Sequence, residues 1–388
     1  MVAPGLAAAH AAAMPFFTLF LNPRHGTPGI VTLSAAGFRR AKADIASWDG
    51  YAPTPLRALP LPGTVRLKDE STRFGLGSFK ALGGAHAAAS LLMDALARRG
   101  ITADAAALAS GRHAEATRAL ILTSATDGNH GRAVAWAAAR FHCGCVIYVH
   151  ETVSAGRADA IAAYGAEIRR VSGTYDDAVR ACARDAAAEG WHVVSDTSWP
   201  GYVEVPRAIM QGYRLMADEA ADQWTGPSPT HVFIQGGVGG AAAAVSTQIR
   251  ARWPHAPPLL IVVEPEHAAC LLASAQEGRM VRVGGDLETI MAGLACGEPS
   301  LLAWQELERG AAAFLAIPDA AAVEAMRWLA ARGIVSGESG AAGLAGLRLM
   351  LADTGARAAL RLGEDSRVLL FSTEGATDPA LYASLIAG

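Results

Sequence analysis

The sequence predicts an α/β protein of two domains, with open, twisted, mostly parallel sheets carrying helices on both faces. Three observations predict it. Short β-branched runs alternate with long Ala-rich stretches, the order that parallel βαβ units produce. The chain has 388 residues, more than one small domain needs. Its composition, 52% hydrophobic and 18% charged, belongs to a chain with a large core rather than to a disordered one.

The elements follow in order. Residues 1–23 contain no Lys, Arg, Asp or Glu, which raises the question of a signal peptide or membrane anchor. There is no cationic start, and Pro4, His10 and Pro15 interrupt the stretch, so an Ala-rich leader followed by a first strand near 16–21 is expected. No other segment approaches the ~20 apolar residues of a spanning helix. The Ala-rich segment 100–117 reads as a helical insertion or an irregular loop. Strands are expected at 120–123, 145–149, 167–171 and 191–194, with helices over 134–140, 157–164 and 176–189 between them. Pro227-Ser228-Pro229 marks a break, after which strands are expected at 231–234, 259–263 and 368–371.

Composition excludes several functions. A net charge of -3 and the lack of a long cationic run give no basis for nucleic-acid binding. Five cysteines show no zinc spacing, and their odd number suits a reducing cytosol better than a disulfide framework; whether Cys270 and Cys296 meet is left open.

Lysine carries the first chemical signal. Of 33 basic residues only Lys42, Lys68 and Lys80 are lysine. A guanidinium cannot form an imine, whereas a lysine amine of lowered pKa can. Lys42 lies in a polar helical stretch and reads as solvated; Lys68, between Arg66 and Asp69-Glu70, reads as a paired lysine of the surface or core edge. Lys80 stands among glycines and aromatics, with no acidic residue near it in sequence, and is expected to be desolvated towards the neutral amine.

Ligand sites of parallel sheets lie at the carboxyl ends of strands, and several runs begin there. Gln235-Gly236-Gly237-Val238-Gly239-Gly240 links a strand to a helix and could cradle a phosphate on its N–H groups; it lacks the Walker lysine and the dinucleotide spacing, and no acidic residue closes the next strand at the distance a ribose contact needs. The bland reading is a tight packing turn. In Ser124-Ala125-Thr126-Asp127-Gly128-Asn129-His130-Gly131, Thr126 and Gly128 could hold a carboxylate and Asn129 a phenolic oxygen. Asp127 is either a helix cap or a carboxylate in the cleft, and His130 reads as packing rather than as a base. Asp196, in Ser195-Asp196-Thr197, is either a turn former or an active-site acid. Ser372, after the last strand, could bond a pyridine nitrogen and leave it unprotonated.

Ser78-Phe79-Lys80-Ala81, Gly128-Asn129-His130-Gly131, the glycine loop and the late Ser372-Thr373-Glu374-Gly375 occur in an order that resembles the fold type II pyridoxal-phosphate enzymes, the tryptophan synthase β and threonine dehydratase superfamily. The likeness runs from about Tyr51 to the C-terminus. Lys68-Asp69-Glu70-Ser71, Pro206-x-x-Ile209-Met210-Gln211-Gly212-Tyr213 and Met291-Ala292-Gly293-Leu294-Ala295-Cys296-Gly297-Glu298-Pro299 narrow it to the diaminopropionate ammonia-lyases. The resemblance implies a large cofactor-binding domain from 1–84 and 200–388 and a small substrate-side domain from 85–199. It implies that Lys80 holds pyridoxal 5'-phosphate covalently, that Asn129 bonds the ring hydroxyl, and that Gly237, Val238, Gly239 and Gly240 hold the phosphate. Ser372 would face the ring nitrogen, with Thr373 its rival. Thr126, Asp127 and Gly128 would bind substrate; Lys80, Asp127 and Asp196 would be catalytic. Glu338 would lie near the cofactor. Serine and threonine dehydratases carry a small or hydroxyl residue where Asp127 stands, so a carboxylate there suits a substrate with a second amine. The implied activity is α,β-elimination of 2,3-diaminopropionate through aminoacrylate to pyruvate and two ammonia, in a cytoplasmic homodimer. The alternatives are a serine, threonine or hydroxyaspartate dehydratase, or a catalytically silent binding protein of the same fold.

Overall fold

A strand with five consecutive buried residues, as in His231–Gln235, belongs in the middle of a sheet covered on both faces. The computed structural model, which describes residues 17–126 and 128–387, places that strand so. The strands are β1 (Thr18–Leu21), β2 (Leu56–Leu59), β3 (Thr64–Asp69), β4 (Ile121–Ala125), β5 (Gly144–His150), β6 (Glu167–Val171), β7 (His192–Val193), β8 (His231–Gln235), β9 (Leu259–Pro265), β10 (Ala313–Ile317) and β11 (Arg367–Ser372). Among the described residues they form a seven-stranded sheet, β1-β10-β9-β8-β11-β3-β2, and a four-stranded sheet, β6-β5-β4-β7. All pairings are parallel except β1 on β10 and β2 on β3, at the two edges of the larger sheet.

Side-chain alternation divides the core. Val232 and Ile234 face the helices Lys80–Ala97, Glu204–Gln223 and Gly240–Arg252, and this core continues to Leu122 and Ile147 of the smaller sheet. Phe233 faces the other way, against the helices Asp319–Ala330 and Ala342–Ala352. The outer face of the smaller sheet is covered by the helix Tyr175–Glu189, which starts on a Thr174–Asp177 capping box and ends on left-handed Gly190. Helices Lys80–Ala97 and Glu204–Gln223 cross backbone to backbone: a Cβ on Gly212 would stand 2.2 Å from Leu82 O.

The expected strands and helices are present, with shifts at their ends. The helix expected over 134–140 starts earlier, at Asn129, and the strand at 191–194 shrinks to His192–Val193. Two short helices, Ala105–Ala109 and Ala114–Thr117, fill the 100–117 insertion. The strands β2, β3 and β10 were not anticipated; β10 follows an alanine run that reads as helix. Among the described residues no helix is long and apolar enough to cross a membrane.

Candidate active site

Lys80 opens its helix at the level where β7, β8 and β11 end, and its Nζ lies 2.6 Å from Asp196 Oδ2. His130 stands behind the same carboxylate, with Nδ1 at 3.9 Å and Nε2 2.8 Å from Val194 O. The Phe79 and Tyr213 rings flank the ammonium at 5.4 and 5.7 Å. Burial opposes the charge on Lys80, but Asp196 first, then Tyr213 and Cys296, outweigh it and hold the ammonium well above the lysine range. Burial opposes ionisation of Asp196 too, and loses to Lys80 and His130, so this carboxyl stays well below the usual carboxylate range. The expectation of a lysine without an acidic partner, desolvated towards the neutral amine, is therefore overturned. The partner is 116 residues away in sequence, out of sight of local context.

The glycine loop follows β8. Gly237 (φ +58°) and Gly239 (φ +95°) adopt left-handed conformations that side chains resist. The N–H groups of Gly237 and Val238 donate to no backbone carbonyl among the described residues, and Gly240 opens the helix Gly240–Arg252, whose first-turn N–H groups have no acceptor within the helix. With the helix dipole, these groups favour an anion. An acidic residue does stand at the close of the next strand, contrary to expectation: Glu264 is the last residue but one of β9, but its carboxylate accepts the N–H groups of Leu271 and Leu272, both at 2.8 Å. It props the floor of the loop, since a Cβ on Gly236 would stand 2.8 Å from its Cγ. All five cysteines are thiols, and Cys270 Sγ donates to Gly237 O at 3.6 Å.

Asp127 lies outside the described residues. Thr126 Oγ1 accepts the N–H groups of Gly128 and Gly131 at 3.1 and 3.2 Å, which shapes the turn. The Asn129 amide donates to the Glu374 carboxylate, which also takes the Ser339 N–H at 3.0 Å. Ser372 Oγ donates to Ser336 Oγ at 2.8 Å, whereas Thr373 Oγ1 is taken by the Gln235 amide at 2.7 Å. Glu338 Oε1 accepts from Arg157 Nη2 at 3.1 Å, across the two sheets. Burial, then the neighbouring Glu374, push the Glu338 carboxyl up to about 7.

The other two lysines are structural. Lys68 is fully buried, not at a surface or core edge; its Nζ lies 2.7 Å from Glu219, in a cluster with Arg73 and Glu70. Lys42, expected to be merely solvated, pairs with Asp218 at 2.6 Å.

Residues 47–374 match the family described as pyridoxal-phosphate dependent enzyme. The chain belongs to that family. Among pyridoxal-phosphate-dependent enzymes it is 41% identical to the diaminopropionate ammonia-lyase of Escherichia coli K12 over 353 residues, 87% of this chain and 88% of that protein. A probable D-serine dehydratase of Burkholderia thailandensis is 28% identical over 343 residues, 78% of this chain and 75% of that one. The crystal structure of the holo diaminopropionate ammonia lyase from Escherichia coli superposes with a TM-score of 0.88 at 37% identity, covering 96% of this chain and 97% of that one. The apo form gives 0.80, with 96% of each chain covered.

The residues present fit the cofactor of the family. A half-buried lysine is paired with Asp196, whose carbonyl lies against the glycine loop with its open N–H groups and left-handed backbone, so an aldehyde and a phosphate on one ligand would both find partners. Sequence reasoning assigned no role to Tyr213, Arg157 or Glu374. Tyr213 and Glu374 stood inside quoted motifs, and an aromatic directly after a helix glycine was the available signal for the first.

Proposed function

We propose that this chain eliminates ammonia from 2,3-diaminopropionate with pyridoxal 5'-phosphate as cofactor; with one water, the aminoacrylate released gives pyruvate and a second ammonia. The observation that supports this best is the Lys80–Asp196 ion pair at the strand ends beside the glycine cradle, in a chain so similar to ammonia-lyases of this substrate.

The bound cofactor supplies an electron sink for negative charge at Cα. The chain supplies the rest. Lys80 carries the cofactor; Gly237, Val238, Gly239 and Gly240 hold its phosphate; Asn129, oriented by Glu374, addresses the ring hydroxyl, and Ser372 the ring nitrogen. Thr126 and Gly128 shape the turn that receives the substrate carboxylate. Lys80 takes the α-proton of an L substrate, and Asp127 that of a D substrate. Asp196 orients the β-amine as it leaves. We further propose a cytoplasmic homodimer with the cofactor in a domain of 1–84 and 200–388 and the substrate side in 85–199.

The test is an assay with D- and L-2,3-diaminopropionate, D- and L-serine and L-threonine, scoring oxo acid against ammonia. Two ammonia per pyruvate from the diamine, with little turnover of hydroxy acids, is the expected result. A preference for a hydroxy acid places the chain with the dehydratases instead.

A further inference from the structure

The hydroxyl of Tyr213 is buried, and the Lys80 amine beside it is the one group among the described residues placed to bond it. A buried phenol with a single such neighbour demands an explanation, because desolvation without a replacement bond is unfavourable. Packing does not let it turn away. The ring lies 4.6 Å from that of Phe79, centroid to centroid, and a Cβ on Gly83 would stand 2.4 Å from Tyr213 Cε1. Tyr213 is thus fixed beside Lys80, whose Nζ is 5.7 Å from the ring centroid.

The groups facing Lys80 come from every side of the site. Asp196 follows β7, His130 belongs to the helix Asn129–Arg140, Tyr213 to the helix Glu204–Gln223, and Cys296 precedes the helix Leu301–Gly310. Only Asp196 among them gives the ammonium an ion pair, and a lysine held that way is a poor base. A diamine substrate brings a second ammonium into this space. Asp196 cannot compensate both cations, and an uncompensated buried charge is strongly disfavoured. The lysine nitrogen then needs a neutral partner within reach.

We propose that Tyr213 is a positioning residue for Lys80, its hydroxyl taking up the lysine nitrogen when Asp196 turns to the second ammonium of the substrate. A phenol accepts from an ammonium and donates to a free amine, so it holds the nitrogen in place without fixing its charge as a carboxylate does. The hand-over itself exchanges one hydrogen bond for another and moves no proton. It rests on the diaminopropionate reading, since a hydroxy acid has no second ammonium to draw Asp196 away.

Tyr213→Phe keeps the ring and removes the oxygen. In the holoenzyme, kcat for 2,3-diaminopropionate is expected to fall about tenfold with KM within about twofold, the loss of one hydrogen bond made only in turnover. The acid limb of the kcat profile moves to higher pH, because Lys80 remains with Asp196. The visible band of the bound cofactor, read without substrate, stays unchanged. An unaltered kcat and pH profile overturns the proposal, as does a variant that has lost the cofactor band, which would make the role structural. A second readout needs no turnover. In a crystal structure of the cofactor-free Asp196→Asn chain, Lys80 Nζ is expected to move onto the Tyr213 hydroxyl; a lysine that stays where the cofactor-free wild type holds it overturns the proposal. A wild-type enzyme that consumes serine and not the diamine overturns the functional reading, and the hand-over with it, independently of either variant.

Discussion

Lys80 and Asp196 each owe their charge to the other. Remove the carboxylate and only Tyr213 and Cys296 are left to oppose burial at the amine, so Asp196→Asn is expected to lower the Lys80 pKa. Amine-reactive labelling of the cofactor-free chain at pH 8, resolved by mass spectrometry and normalised to Lys42, should show Lys80 reacting at least about tenfold faster, the equivalent of one pKa unit. Unchanged labelling would mean that the pair does not govern the lysine. Asp127→Asn is expected to lose turnover of the D diamine far more than of the L diamine; equal losses would assign Asp127 to binding the β-amine. Glu264 makes a different claim. An amide accepts through one atom only, so Glu264→Gln leaves Leu271 N–H or Leu272 N–H unsatisfied at a cost of ~1–3 kcal/mol, read by urea unfolding. Lys80 was legible because lysine is so scarce here that each one asks for a reason. Asp196 as its partner was not, because an ion pair between distant segments leaves no local trace.

At the scale of elements, the central strands β5, β8, β9 and β11 were legible because both their faces are buried, which demands unbroken apolar runs. The hairpin β2–β3 was not: its arginines at 57 and 66 break the apolar run that marked the other strands. β10 was hidden by alanines whose helix preference the sheet overrides. The crossing of Lys80–Ala97 with Glu204–Gln223 sets where Lys80 and Tyr213 stand, and it depends on Gly83 and Gly212. A Cβ on Gly83 would meet Ile209 O at 2.7 Å as well as the Tyr213 ring, so Gly83→Ala must push the helices apart. The expected loss is about 3 kcal/mol in denaturant unfolding, with weaker cofactor binding. A variant with unchanged stability would show that the crossing tolerates more room than the packing implies.

Across the whole molecule, Arg157 and Glu338 tie the smaller sheet to the larger one, and Ser154 reaches Asp378 at 3.4 Å beside them. Because burial and Glu374 raise the Glu338 carboxyl from 4.5 to about 7, the folded chain holds a proton in that window that the unfolded chain has lost. Stability therefore falls as pH rises from 4.5 to about 7, and Glu338→Gln is expected to flatten that slope. Unfolding midpoints measured at pH 5 and pH 7 check it; an equal slope in the variant would point to other groups.

The order of strands has a consequence for synthesis. β11, residues 367–372, fills the seam between β8 and β3, so until it arrives the larger sheet exists as two separate pieces, β1-β10-β9-β8 and β3-β2. The smaller sheet is contiguous, from 121 to 193, and can close early. A nascent chain emerges N-terminus first. It must carry the open edge of β3 from residue 69 and that of β8 from residue 235 until residue 372 is made, which leaves the ribosome-bound form more exposed to aggregation than the finished enzyme.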